Sequence, residues 1–181
     1  INETNLLSAI GTRRLVDGYS GPLIRVRRES DDTETDIYAA SGSDLIDTAA
    51  LATARSGSYL WVTTIYDQSG NGHDVTQTTH NNQGQIYAEN IDADGQQSII
   101  FTSDAFGSLA NFMQHPAGFT ANGQNYTDYA VMYPQTSVND ANSAATMFGV
   151  NSTWNGNAGF AILNQRPGAR AIAKTGGFIN I

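Results

Sequence analysis

Cysteine is absent from the 181 residues, so the chain can form no disulfide, no thiolate metal site and no cysteine nucleophile. The redox compartment therefore leaves no mark on it. Charge is sparse, with Asp, Glu, Lys and Arg at 14%, and solubility rests on Asn, Gln, Ser, Thr and Gly. That balance is more typical of extracellular or virion β-proteins than of cytosolic enzymes. No apolar run approaches the roughly 20 residues of a membrane-spanning helix, and no membrane partner is expected. Basic residues are the scarcest charged class. Nine Lys and Arg against seventeen Asp and Glu give a net charge of −8, which argues against a grip on nucleic-acid phosphates, since that grip needs clustered cations. His73, His80 and His115 show no metal-ligand spacing, and neither a phosphate loop nor a Gly-x-Ser-x-Gly elbow is present. No metal and no cofactor are expected.

What is there suits a β-domain. At this length folding removes roughly 70% of the unfolded chain's surface from water, enough for a core without covalent staples. The spacing of Leu6, Leu7, Ile10, Leu15 and Val16 predicts a short N-terminal helix over Thr4–Val16 with Gly18 as its stop. After Pro22 the chain alternates, with Ile24 and Val26 on one face of a strand and Arg25 and Arg27 on the other. An acidic turn, Asp31–Glu34, leads to a second helix with Asp44 as N-cap and Ser56–Gly57 as its end. Short β-like segments follow at Tyr59–Tyr66, Ser98–Thr102, Tyr126–Tyr133, Ala145–Val150, Gly159–Leu163 and Ala169–Ala173. Gln77–Gln85 and Val138–Ser143 read as surface loops, and Trp61 as core. The pattern predicts an all-β fold, an antiparallel β-sandwich with one or two short peripheral helices. One domain over residues 1–181 is expected, which the C-terminus could cut short. The opening at Ile1 in place of Met leaves a processed product and a fragment both open.

The most specific stretch is Thr64-Ile65-Tyr66-Asp67-Gln68-Ser69-Gly70-Asn71-Gly72-His73-Asp74-Val75-Thr76-Gln77. Physically it is a strand entering a turn in which Gly70 and Gly72 permit positive φ, while Asp67, Ser69, Asn71 and Asp74 can bond nearby backbone. These residues also offer hard oxygen ligands of the kind calcium takes, although a turn rich in such residues is the commoner case. Together with Tyr19–Arg28 and Ser30–Glu34, the stretch resembles the catalytic domain of the arabinofuranosidase B family, glycoside hydrolases with a concanavalin-like jelly roll. The resemblance is clear from about Tyr19 to Gln77, and continues thinly through Gln96–Phe101 and Ser152–Gln165. It implies that fold, and a setting either in the enzymes or in related modules of bacteriophage virions and bacterial surface proteins.

Retaining glycosidases need two carboxyl groups about 5 Å apart. The resemblance places the family's nucleophile at or near Gln165, which is an amide, and no Asp or Glu follows Asp140. A replacement pair would have to come from Asp67, Asp74, Glu89, Asp92, Asp94, Asp104, Asp128 or Asp140. The chain is therefore expected to be non-catalytic, a structural or attachment module of a virion surface such as a tail, fibre or capsid decoration. Its location would be a virion or an extracellular surface, and its partners other assembly subunits, a polysaccharide or a second copy. The alternatives are an α-L-arabinofuranosidase domain and a secreted carbohydrate-binding module. Glycan binding would use Trp154 as a stacking platform, with Asn155, Asn157, Asn164 and Gln165 bonding hydroxyls. Arg13, Arg14, Arg25, Arg27 and Arg28 read as a solvated face or as a dock for an acidic subunit.

Overall fold

A computed structural model describes residues 6–91, 97–101, 113, 145–146, 159–164 and 169–174. They fall into two compact units, one holding the elements up to Ile100 and the other three later strands. Every strand pairing in both is antiparallel, and the described residues are all-β with one α-helix among them.

The first unit is a sheet of β1 (Ile24–Arg28), β2 (Glu34–Ile37), β3 (Leu60–Ile65), β4 (Val75–Thr76), β5 (Gly84–Ile91) and β6 (Gln97–Ile100). Its order is β2-β1-β3-β5-β6, with β4 also beside β3. Alternation places Ile24, Val26, Ile37, Leu60, Val62, Ile65, Val75 and Ile86 in one apolar cluster. Fully burying a side chain of this size is worth about 1.5–3 kcal/mol, and Ile24, Val26, Ile37 and Val62 are 0% exposed. The spacing of Val62 and Ile65 is odd, which in a regular strand would set them on opposite faces. A β-bulge resolves the conflict: Arg25 pairs with Thr64 and Val26 with Val62, leaving Thr63 without a partner in β1.

Helix α1 (Thr48–Arg55) packs Leu51 and Ala54 into this cluster. Eight residues make a helix too short to stand alone, and its ends are fixed locally. Asp47 caps it by accepting the Ala50 amide at 2.9 Å, and Ser56 leaves it in the left-handed region at φ 44°. The helix end was read correctly from the sequence and its start was not. Asp44 instead pairs with Arg14 at 3.2 Å, and Leu45 and Ile46 form bridges to Arg13 and Ala39.

Three further expectations are corrected. The N-terminal segment from Leu6 to Val16 contains no helix, because its peptide groups are taken by side chains from elsewhere in the fold. Glu34 opens β2 and does not end a turn. Gln77–Gln85 is not a surface loop: Gln77 and Gln83 are buried, and Gly84 begins β5.

The second unit is a sheet of β7 (Ala145–Thr146), β8 (Gly159–Asn164) and β9 (Ala169–Lys174) in the order β7-β8-β9. These match the last three expected strands. The segments Tyr126–Tyr133 and Val138–Ser143 lie outside the described residues.

Candidate functional site

At the end of β3 the chain leaves the sheet through Tyr66 and turns back into β4. The turn is possible because Gly70 and Gly72 hold φ values of 84° and 74°, which residues with a Cβ resist. Asp67 sits inside it, 6% exposed. One carboxylate oxygen accepts the amides of Ala9 and Ser69 at 2.8 and 3.0 Å, and the other accepts the Ser69 hydroxyl and the His73 amide at 2.7 and 3.0 Å. Its own amide donates to Asp74 Oδ1 at 2.8 Å. Burial pushes the Asp67 carboxyl upward, and the hydrogen bonds from Ala9, Ser69 and His73 outweigh it, leaving the group below its ordinary range.

The same turn holds the N-terminal segment from Leu6 to Val16, here called the strap, along the sheet's end. Buried Gln68 donates its backbone amide to the Ala9 carbonyl at 2.8 Å, accepts the Leu15 amide on Oε1 at 2.7 Å and donates Nε2 to the Arg13 carbonyl at 2.8 Å. Asn71 Nδ2 donates to the carbonyls of Leu6 and Leu7 at 2.7 and 3.2 Å, and His73 Nδ1 lies 2.8 Å from the Leu7 carbonyl oxygen. Every one of these contacts reaches backbone atoms of the strap. The most specific motif of the sequence is thus a clasp, and Asp67 is committed to holding it.

Beside the clasp, on the polar face of the sheet, Arg25 grips Asp36 with two hydrogen bonds of 2.7 and 2.9 Å. Tyr66 donates its hydroxyl to the same carboxylate at 2.8 Å, and its ring lies 5.9 Å beneath the guanidinium. The hydrogen bond from Arg25 leads the causes that hold the Asp36 carboxyl low. Burial, then the bond to Asp36 and its charge, push the Tyr66 phenol well up. Tyr19, whose hydroxyl donates to the Pro22 carbonyl at 2.7 Å, is raised by burial and by the charges of Asp74 and Asp67. Both phenols therefore stay protonated donors across the physiological range.

Further along that face Arg27 is buried at 6% exposure, which corrects its reading as part of a solvated arginine surface. Its Nε donates to Gln83 at 3.0 Å and its guanidinium pairs with Asp32 at 2.6 Å. Gln83 passes the network on by donating to the Gln77 carbonyl at 3.0 Å. A buried guanidinium needs such partners. Trp61 is half-buried beside this network and outside the apolar cluster expected for it; its Nε1 has no hydrogen-bond partner among the described residues.

Among the carboxylates that could form a hydrolytic pair, Asp67 and Asp74 are spent on the clasp. The side chains of Glu89, Asp92, Asp94, Asp104, Asp128 and Asp140 lie outside the described residues, as do Trp154, Asn155, Asn157 and Gln165. Asn164 ends β8, its backbone opposite Ala145 and Ala169. No group of three or more His, Asp or Glu among the described residues is placed to hold a metal ion, and no helix among them is long and apolar enough to cross a membrane. Sequence reasoning missed the Arg25–Asp36–Tyr66 group. The period-two pattern of β1 could have pointed to it, since a tight hairpin sets Asp36 directly opposite Arg25.

A family model described as "Alpha-L-arabinofuranosidase B, catalytic" matches residues 3–160. Alpha-L-arabinofuranosidase B of Emericella nidulans is 44% identical over 66 residues, which are 36% of this chain and 13% of that protein. The enzyme of the same name from Aspergillus kawachii is 29% identical over 142 residues, 72% of this chain and 28% of that protein. A probable α-L-arabinofuranosidase B of Aspergillus fumigatus is 30% identical over 142 residues, 72% of this chain and 27% of that protein. A solved arabinofuranosidase complexed with arabinofuranosyl-α-1,2-xylobiose shares 32% identity and a TM-score of 0.45, over 53% of this chain and 23% of that one. The chain spans only 13–28% of the length of these curated relatives. They are fungal enzymes, and nothing among them supports the virion or bacterial-surface setting expected from the resemblance.

Proposed function

The chain belongs to the α-L-arabinofuranosidase B catalytic family, and from that premise we propose that it serves as part of a glycoside-hydrolase domain acting on α-L-arabinofuranosyl groups of arabinose-decorated polysaccharide. The family match over residues 3–160 is the observation that carries the reading. It favours the hydrolase over the non-catalytic virion module. Since the chain covers a minority of its relatives' length, the activity is that of the whole protein. We place that protein outside the cell, where such polymers are met, with the polysaccharide as its partner.

The reaction needs a nucleophile and an acid/base about 5–5.5 Å apart if configuration is retained. With Asp67 and Asp74 bound into the clasp, the candidates this chain supplies are Glu89, Asp92, Asp94, Asp104, Asp128 and Asp140. Hydrolysis of a chromogenic α-L-arabinofuranoside tests the proposal. Turnover abolished by changing one of these to its amide supports it, and absence of turnover in the full-length protein overturns it.

A second reading is favoured by Gln165, an amide where the resemblance sets the nucleophile. In it the domain binds arabinofuranosyl groups without cleaving them, through Trp154, Asn155, Asn157, Asn164 and Gln165. A glycan array that shows binding weakened by Trp154→Ala, with no turnover, selects this reading over the first.

A further inference from the structure

The clasp contains a dipeptide whose chemistry works against its own task. Asn71 is followed by Gly72, and both are exposed. Gly72 has no side chain to shield its amide nitrogen, and at φ 74° nothing lies within 4 Å of where a Cβ would stand. An Asn-Gly pair in an open turn is the arrangement in which a backbone nitrogen most readily reaches the preceding side-chain amide. Yet that amide is in use: Nδ2 donates to Leu6 and Leu7 at 2.7 and 3.2 Å. The leaving group of the reaction and the hook of the clasp are the same nitrogen.

We propose that Asn71 is a site of self-catalysed deamidation that proceeds only while the strap is detached, and that conversion then keeps the strap from closing again. The Gly72 nitrogen gives up its proton and bonds to Asn71 Cγ. The Cγ–Nδ2 bond breaks, ammonia departs with the proton, and a succinimide remains. Water opens that ring at one carbonyl or the other, giving aspartate or isoaspartate. No oxidant, cofactor or second protein takes part.

Both products destroy the hook. A carboxylate has no N–H, so the oxygens of Leu6 and Leu7 lose their donor and face a negative charge. Asp67 and Asp74 already stand in the same turn, so the added charge is repelled within the motif as well. Isoaspartate also lengthens the main chain by a methylene, displacing Gly72 and the His73 amide that donates to Asp67. The segment is thus a one-way timer: local opening, which the surrounding bonds make rare, is recorded covalently when it happens.

The full chain is incubated at neutral and mildly alkaline pH and sampled by peptide mapping, with hydrogen exchange read at the Ala9 and Leu15 amides. Amide-to-acid conversion at Asn71 is expected to be slower in the native chain than in the same chain held in denaturant. The converted fraction is expected to lose exchange protection at Ala9. Gln68→Ala removes strap bonds without touching Asn71, and should speed native conversion. Asn122-Gly123 and Asn155-Gly156 carry the same dipeptide and serve as internal clocks. Equal rates in native and denatured chains would remove the strap's control. Unchanged protection at Ala9 after conversion would remove the lock, and an Asn71 that stays intact in denaturant when both clocks have run out would remove the site. Apart from the Gln68→Ala rate, these readings come from the unmodified sequence, so none of the overturning outcomes depends on whether a variant folds.

Discussion

A carboxylate that receives hydrogen bonds from the amides of Ala9, Ser69 and His73 and from the Ser69 hydroxyl has every lone pair engaged. Protonating Asp67 therefore costs more in the folded chain than in the unfolded one, where the group titrates near 3.9. Its folded pKa lies lower, so the unfolded state takes up protons first. The stability Asp67 contributes is complete above the unfolded value and drains away as pH falls toward the folded one. Asp36, held low chiefly by Arg25, acts in the same direction. Denaturant midpoints should thus fall on acidification below about pH 4, and the fall should be shallower in Asp67→Asn. At neutral pH that substitution removes hydrogen bonds to a charged acceptor and leaves buried amides short of partners, a loss of about 2–3 kcal/mol readable in urea. Tyr66→Phe takes one hydroxyl from a carboxylate that keeps its arginine, and should lower stability by about 1 kcal/mol.

Among the elements, those with a strong period were legible and those fixed by distant partners were not. β1 and β3 follow from alternation, and the end of α1 from Ser56-Gly57. The start of α1 was misplaced because Asp44 and Asp47 are equally good caps on paper, and only the bridges at Leu45 and Ile46 decide between them. Asp47→Ala should therefore cost about 1 kcal/mol, while Asp44→Ala, which breaks an exposed ion pair, should cost at most a few tenths. The strap's helical spacing was overruled by Asp67, Gln68 and Asn71, none of which is local to it. The buried glutamines were missed because Gln77–Gln85 has the composition of a loop, and nothing in it announces that Arg27 needs Gln83. Gly84 has a partner as well: the ring of Phe101 and the side chain of Ile99 occupy the space above it, 2.8 and 2.6 Å from any added Cβ. Gly84→Ala should destabilise the β5–β6 pair by about 1–3 kcal/mol, seen as faster exchange of its cross-strand amides.

For the molecule as a whole, the sequence disclosed its kinship through one stretch, and the structure explains why that stretch is so particular. Nearly every polar residue between Asp67 and Asp74 bonds a named backbone atom, so the motif reports the scaffold and leaves the chemistry to other parts of the chain. That is why it identified the family and left the activity open: the amide at Gln165 favoured an inert module, whereas the curated relatives are named as α-L-arabinofuranosidases. Turnover of a chromogenic arabinofuranoside by the full-length protein decides the matter. If turnover is found, Asp67→Asn should reduce the amount of folded protein while leaving the KM of the surviving molecules unchanged, because Asp67 serves the scaffold.

The unpaired Thr63 has a consequence for how this protein can change. Upstream of it, odd and even positions of β3 are assigned to one pair of faces; downstream, the assignment is reversed. Removing that single residue would make the spacing of Val62 and Ile65 even, so a regular strand would keep both on the apolar side with Thr64 still opposite Arg25. A chain lacking Thr63 should therefore still fold and be purified, and a deletion that left no folded protein would show that the bulge itself is required.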